Sequence, residues 1–155
     1  MADAAALTTV FKRSWLNAYA GILPQEYIDQ MIARRDAAWW EHQCRTARRM
    51  MVVDVGGKAV GYAIYGPYRG EFQAPGEIYE LYVLPSHQGL GFGEHLFEAC
   101  RHGLDMLHCD GLIVWALADN AGACGFYERR GGLVRYRRRE SVGGRRLRKF
   151  GFFWD

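Results

Sequence analysis

The stretch QGLGFG, residues 88–93, separates an apolar run that reads as a strand, EIYELYVLP (77–85), from a helix-periodic segment, EHLFEACRHGL (94–104). Glycine loses more conformational freedom on folding than any other residue, so glycines at 89, 91 and 93 mark a tight turn or a close approach. A helix start leaves its first backbone N–H groups without partners and gathers partial positive charge there. A strand-to-helix loop stripped of side chains lets an anion, most often a phosphate, reach those groups. Spacing excludes two nucleotide loops. No Gly-Lys-Ser/Thr occurs, so the NTPase phosphate loop is absent, and Glu94 stands where the dinucleotide fingerprint needs its third glycine.

Upstream, Leu7, Val10, Phe11, Ser14, Trp15 and Ala18 recur at helical spacing and predict an amphipathic helix that Gly21 and Pro24 end. Ile28, Met31 and Ile32 predict a second helix, and a third runs through Trp39 and Trp40. MMVVDV (50–55) and AVGYAIY (59–65) flank Gly56-Gly57-Lys58, a hairpin signal, and the loop GPYRGEFQAPG (66–76) leads to the strand before the glycines. Downstream, Leu96, Phe97, Cys100, Leu104 and Leu107 share one helix face. LIVWAL (112–117) reads as a strand buried on both faces. Asp119 or Asn120 caps a short helix, AGACGFYERR (121–130), which Gly131-Gly132 stops. LVRYRRRE (133–140) and RRLRKFGFFWD (145–155) then form a last hairpin about Gly143-Gly144. The order predicts an α/β fold, a mixed and mostly antiparallel sheet flanked by helices.

A chain of 155 residues, half of them hydrophobic, suits one folded domain over 1–155 and excludes a disordered protein. No run approaches the roughly 20 apolar residues that span a bilayer, so no membrane role is expected. Asp3, Lys12 and Arg13 do not resemble a signal peptide, and Cys44, Cys100, Cys109 and Cys124 lack CxxC spacing. Reduced thiols and a cytoplasmic location are the expectation.

Gln88, Gly91 and Gly93, after a strand ending Leu81-Tyr82-Val83-Leu84-Pro85, fill a Gln-x-x-Gly-x-Gly pattern. It resembles the acetyl-CoA pyrophosphate loop of GNAT-type N-acetyltransferases. DNAGACGFYERRGG (119–132) resembles that family's second signature, an Asn followed by a short helix with a Phe-Tyr pair. Element order agrees along essentially the whole chain. One position departs: Gly132 stands where the family usually has an aromatic.

The resemblance implies an acetyl-CoA-dependent N-acetyltransferase working in a ternary complex, with acetyl-CoA as co-substrate and no metal. Backbone N–H groups of Gly89, Leu90, Gly91, Phe92, Gly93 and Glu94, with Gln88, would hold the pyrophosphate. Leu81, Tyr82, Val83 and Leu84 would offer backbone groups to the pantetheine arm. Pro85 has no N–H and cannot extend a ladder, so the strand can splay there and leave Val83 and Leu84 unpaired; equally, Pro85 just ends a strand. Tyr127 matches the family tyrosine that protonates the departing sulfur, although a packing tyrosine is the plainer reading. An unperturbed thiol ionises near 8.5 and a phenol near 10, so positioning must help. Asn120 would bond the cofactor or serve only as a cap.

The base is Glu77 or Glu80, acting through a water. Three apart on one strand, they are expected on opposite sheet faces. Glu77 aligns with a catalytic carboxylate of some family members, and either residue otherwise pairs with an arginine. His87, His95, His102 and His108 form no compact ligand cluster, and Cys124 has no paired base.

The acceptor is expected to be a primary amine of a small molecule, near Trp15, Tyr19, Tyr27, Trp39, Trp40, Tyr68 and Phe72, with Glu41, Glu71 or Glu77 favouring a cation. A core made of those aromatics explains most of them as well. The alternatives are a protein N-terminus or lysine as acceptor, or a non-catalytic acyl-CoA-binding module. Half of the 20 basic residues crowd positions 129–149. They read as a solvated hairpin edge, with nucleic acid not an expected partner and a homodimer through the last strands left open.

Overall fold

The computed structural model describes residues 4–71 and 75–155. Three helices come first, α1 (Ala4–Tyr19), α2 (Gln25–Arg34) and α3 (Ala37–Thr46), then strands β1 (Met50–Val55), β2 (Lys58–Pro67) and β3 (Gly76–Val83). A 3-10 turn at Pro85–His87 leads to α4 (Phe92–Asp105), β4 (Leu112–Leu117), α5 (Ala121–Arg129), β5 (Leu133–Val142) and β6 (Arg145–Trp154). This is the expected order. The strands form one sheet, β1-β2-β3-β4-β6-β5, antiparallel throughout except between β3 and β4.

Each sheet face has its own core because helical periodicity delivers one apolar stripe per helix. Leu7, Val10 and Phe11 of α1 and Trp40 of α3 pack on Val60 and Tyr62 of β2. Leu96, Phe97, Cys100 and Leu104 of α4 pack on the other face with Ile78, Val114 and Phe152. The α4 stripe stops earlier than its periodicity predicts. The helix ends at Asp105, and Leu107 lies beyond it, exposed. α2 seats Ile28 against Leu147 of β6.

Two irregularities shape the centre of the sheet. β3 and β4 share only the pairs Gly76↔Leu112 and Glu77↔Ile113, so the two strands diverge from Ile78 and Val114 onward. The divergence thus begins well before Pro85. β3 also carries a bulge: Glu80 faces Ile64 and Ile78 faces Tyr65, leaving Tyr79 as the extra residue. Gly76, Ile78 and Leu81 accordingly all face α4. The expectation that Glu77 and Glu80 point to opposite faces fails for this reason, because the bulge shifts the alternation by one and puts both on the α1 face.

Candidate functional site

The divergence opens a cleft of about 820 Å³ through the sheet. Its walls are residues 78–83 of β3 and 114–116 of β4. One mouth lies between Gly89, Gly91 and Gly93 and the first turn of α5; the other lies under α1, at Ser14, Asn17 and Tyr19.

At the first mouth Gly91 caps α4 in the left-handed region, φ 88°, with no side-chain bond to the helix. The first helical hydrogen bond runs from His95 N–H to Gly91 C=O, 3.0 Å, so the preceding amides have no helical acceptor. Gly89 is also left-handed, φ 76°, and a Cβ on either residue would meet nothing within 4 Å. Gly93 differs: a Cβ there would stand 3.0 Å from the Phe126 ring. The side chains of Leu90 and Phe92 do not reach the cleft. Leu90 is exposed, and Phe92 packs between the two cores. Gln88 does line the cleft, and its Nε2 donates to Val83 C=O at 3.2 Å.

The strand wall is partly as expected. Leu84 N–H donates to Val60 C=O at 2.8 Å, so Leu84 is not free, and its buried side chain lies outside the cleft. In a trans peptide the Val83 C=O points the opposite way, toward the gap, where Ser14 Oγ bonds it at 3.3 Å beside Gln88. By the same alternation the peptide edge of Leu81 faces the gap, and Tyr82 faces β2. The Tyr82 hydroxyl bonds that of Tyr19 at 2.9 Å, and burial raises the pKa of both.

Tyr127 is 7% exposed and lines the cleft, and its hydroxyl has no hydrogen bond to another described residue. Burial raises its hydroxyl well above the usual phenol range. Asn120 caps α5, its Oδ1 accepting from Ala123 N–H at 3.2 Å, and it also lines the cleft. Glu94 at the glycine mouth faces Arg130 at 3.6 Å. Arg130 stacks on Phe126 at 3.6 Å and keeps a buried Nε–H without a partner.

The two carboxylates part company. Glu80 lines the cleft and accepts from Arg35 at 2.6 and 3.3 Å and from the Tyr62 hydroxyl at 2.7 Å. Glu77 sits at the closed end, outside the cleft. It accepts from the Arg69 backbone N–H at 3.1 Å and its guanidinium at 3.3 Å. Of the two carboxylates expected from the sequence, only Glu80 lines the cleft. Of the aromatics expected near the acceptor, Tyr19 lines the cleft, Trp40 is core, and Trp15, Tyr27, Trp39 and Tyr68 lie off it; Phe72 falls outside the described residues. Glu41 and Glu71 do not line it either. Among the described residues no group of His, Cys, Asp and Glu is arranged to hold a metal, and no helix is long and apolar enough to cross a membrane.

Sequence reasoning missed Ser14, Asn17, Arg35 and Tyr62 as parts of this site. Ser14 was readable only as a polar interruption of an apolar stripe. Arg35 reaches Glu80 across 45 positions, which no local pattern signals.

The acetyltransferase (GNAT) family profile matches residues 12–132, well over half of the chain. The mycothiol acetyltransferase of Pseudarthrobacter chlorophenolicus is 31% identical over 103 residues, 65% of this chain and 31% of that relative. The chain thus spans about a third of that relative's length. The PaiA N-acetyltransferase of Thermoplasma acidophilum, solved with coenzyme A, superposes at TM-score 0.71 with 18% identity, covering 96% of this chain and 91% of that one. The ribosomal-protein-alanine N-acetyltransferase of Brucella melitensis gives 0.70 with 24% identity, covering 98% and 93%. At these identities the two structures establish a shared fold.

Proposed function

The chain belongs to the GNAT acetyltransferase family, and from that premise we propose that it moves the acetyl group of acetyl-CoA to a primary amine of a small molecule, both bound at once. The observation that carries this reading is the cleft through the sheet, with uncapped helix amides at one mouth and the Glu80 carboxylate on the way to the other. The residues present fit acetyl-CoA. Gly89 and Gly91 stand clear of every side chain, the first α4 amides lack acceptors, and Arg130 offers an unpartnered buried N–H nearby, all suited to a pyrophosphate. The exposed peptide edge of β3 suits the amides of a pantetheine arm. Acetyl-CoA supplies the activated thioester.

The chain's own residues supply proton handling. A carboxylate has about four acceptor positions. Arg35 and Tyr62 fill three on Glu80, which leaves Oε1 one position for an ammonium proton relayed by a water. The freed amine nitrogen bonds the thioester carbon, the carbon–sulfur bond breaks, and the sulfur leaves with its electron pair. Tyr127 donates its proton there, and the surplus proton on the acetylated nitrogen passes to water, which leaves a neutral amide and lets solvent return a proton to Tyr127. Burial raises Tyr127, and it raises a thiol in the same surroundings too, because both anions lose solvation. The raised Tyr127 hydroxyl therefore holds its proton until the thiolate forms beside it.

A small-molecule acceptor is supported by the relative named for mycothiol. The test is calorimetric titration with acetyl-CoA, followed by an amine panel that includes peptide N-termini. Acetyl-CoA is expected to bind and Gly91→Glu to abolish binding, since it puts a negative side chain at a left-handed position beside the amides. No acetyl-CoA binding overturns the proposal. Turnover of peptides alone moves the acceptor to protein.

A further inference from the structure

β5 and β6 carry eight of the chain's basic residues, and their register sorts them onto two unlike faces. Arg137 stands opposite Phe150, Arg139 opposite Arg148, and Ser141 opposite Arg146. Arg137, Arg139, Arg146 and Arg148 therefore share one face. All four are exposed, none has an ion pair among the described residues, and none lines the acetyl-transfer cleft. The opposite face is knitted to the body. Lys149 pairs with Glu140 at 2.6 Å and lies over Trp115, and Arg145 donates to Ile22 C=O at 2.6 Å.

Directly opposed residues of an antiparallel pair hold their Cβ atoms about 5 Å apart, and like charges there repel. Arg139 and Arg148 occupy such a pair with no carboxylate to relieve it. The four guanidinium groups recur every second residue on two adjacent strands. Three of them, Arg137, Arg139 and Arg148, line a groove of about 230 Å³ with Phe150 and Arg138, while Arg146 stands one step farther along the same face. The hairpin that presents them is tethered at its tip, where Gly143 abuts Tyr27 and Arg145 holds the α1–α2 turn. The array is thus fixed before any partner arrives.

Regularly spaced, unpaired arginine forks match a partner with regularly spaced anionic oxygens, since guanidinium binds phosphate through two parallel N–H groups. The groove has a single aromatic, Phe150, half-buried under Arg137, so it offers no platform for stacked bases. The large exposed apolar side chains lie elsewhere, Leu133 at the far end of β5 among them, which disfavours membrane insertion. We propose that this face binds nucleic acid through the phosphodiester backbone, without reading sequence and apart from the transfer cleft. Backbone contact alone predicts one affinity for RNA and DNA single strands of any sequence. The solvated edge expected from the sequence thus becomes a contact surface.

The test is fluorescence anisotropy with labelled single-stranded RNA and DNA of two unrelated sequences, in rising salt. Four phosphate contacts at about 0.7 each predict a slope of roughly −3 in log affinity against log salt. Arg139→Ala with Arg148→Ala is expected to weaken binding at least ~10-fold, since it removes about two of those contacts. Acetyl-CoA titration should stay unchanged. Because the pair repels, the double variant should melt no lower than the parent; Arg146→Ala, at the outer end, gives an independent second reading. Lys58→Ala, in the β1–β2 hairpin on the other side of the sheet, should leave binding intact. No oligonucleotide binding at low salt overturns the proposal. So does equal loss in Lys58→Ala, or binding of phosphatidylserine vesicles in place of oligonucleotide.

Discussion

Glu77 and Glu80 show how much a single hydrogen-bond environment decides. Both face the same side of β3, but Arg69 ties Glu77 into the closed end of the strand pair, and Arg35 with Tyr62 holds Glu80 in the cleft wall. Glu80→Gln removes the proton acceptor and keeps the shape, so kcat should fall by roughly 10²-fold or more, the usual worth of a positioned base. The rate should then rise more steeply with pH, as the amine must lose its proton to solvent. Glu77→Gln should leave kcat within a few-fold; an equal loss in both variants would place the base elsewhere. Tyr127→Phe carries the complementary expectation. Its phenyl ring keeps the contacts with Phe97, Phe152 and Trp154, so acetyl-CoA affinity should hold while kcat drops ~10² to 10⁴-fold. Its pKa is raised, so the hydroxyl stays protonated below the ordinary phenol value of about 10, and no loss of rate from its ionisation should appear under that pH. Unchanged turnover in Tyr127→Phe would remove it from the mechanism.

At the scale of the element, the glycine loop divides its labour. Gly89 and Gly91 are needed for left-handed backbone facing open space. Gly93 has ordinary helical backbone and is needed because α4 starts against Phe126 of α5. The sequence pattern is the same for all three, so spacing alone assigns them one purpose, and only the packing of α5 separates them. Gly93→Ala should therefore act sterically, costing about 1–3 kcal/mol as overpacking does and weakening acetyl-CoA binding as the α4 start shifts. Adding Phe126→Leu should recover most of both, measured by urea unfolding and calorimetry. If the second change restores nothing, the 3.0 Å approach is not what Gly93 serves. The departure at Gly132 has a similar origin. A Cβ there would stand 2.5 Å from the Trp154 ring, so the space an aromatic would fill is taken by one from β6.

Across the whole molecule, what could be read from the sequence was local: three helices, two hairpins, a strand–loop–helix and a capped α5, each announced by period, glycine or cap. Long-range features were not readable. The bulge at Tyr79 leaves no mark in an alternating run, and the early divergence of β3 and β4 follows from the packing of whole layers. The bonds joining Arg35 to Glu80 and Tyr19 to Tyr82 span 45 and 63 positions. Burying so many weak acids between the layers has a global consequence. Cys100 on α4 is wholly buried, and its thiol is pushed up from 9.0 to about 12. Cys124 shifts upward as well, and burial raises Tyr62, Tyr82 and Tyr127. A folded pKa above the unfolded one means that the native state keeps a proton the unfolded chain gives up. The stabilisation is then fully present below the unfolded value and is lost as pH rises. The cysteines begin that loss near pH 9 and the tyrosines near 10, at up to about 1.4 kcal/mol per pH unit for each group. Urea midpoints under reducing conditions should therefore hold level from pH 7 to 8.5, fall between 9 and 10, and fall faster above 10. Cys100→Ala should start lower, from the cavity it leaves, yet decline less steeply between pH 9 and 10. A variant that declines as steeply as the parent there would show that Cys100 ionises as readily folded as unfolded, and that the α4 core admits water to the thiol.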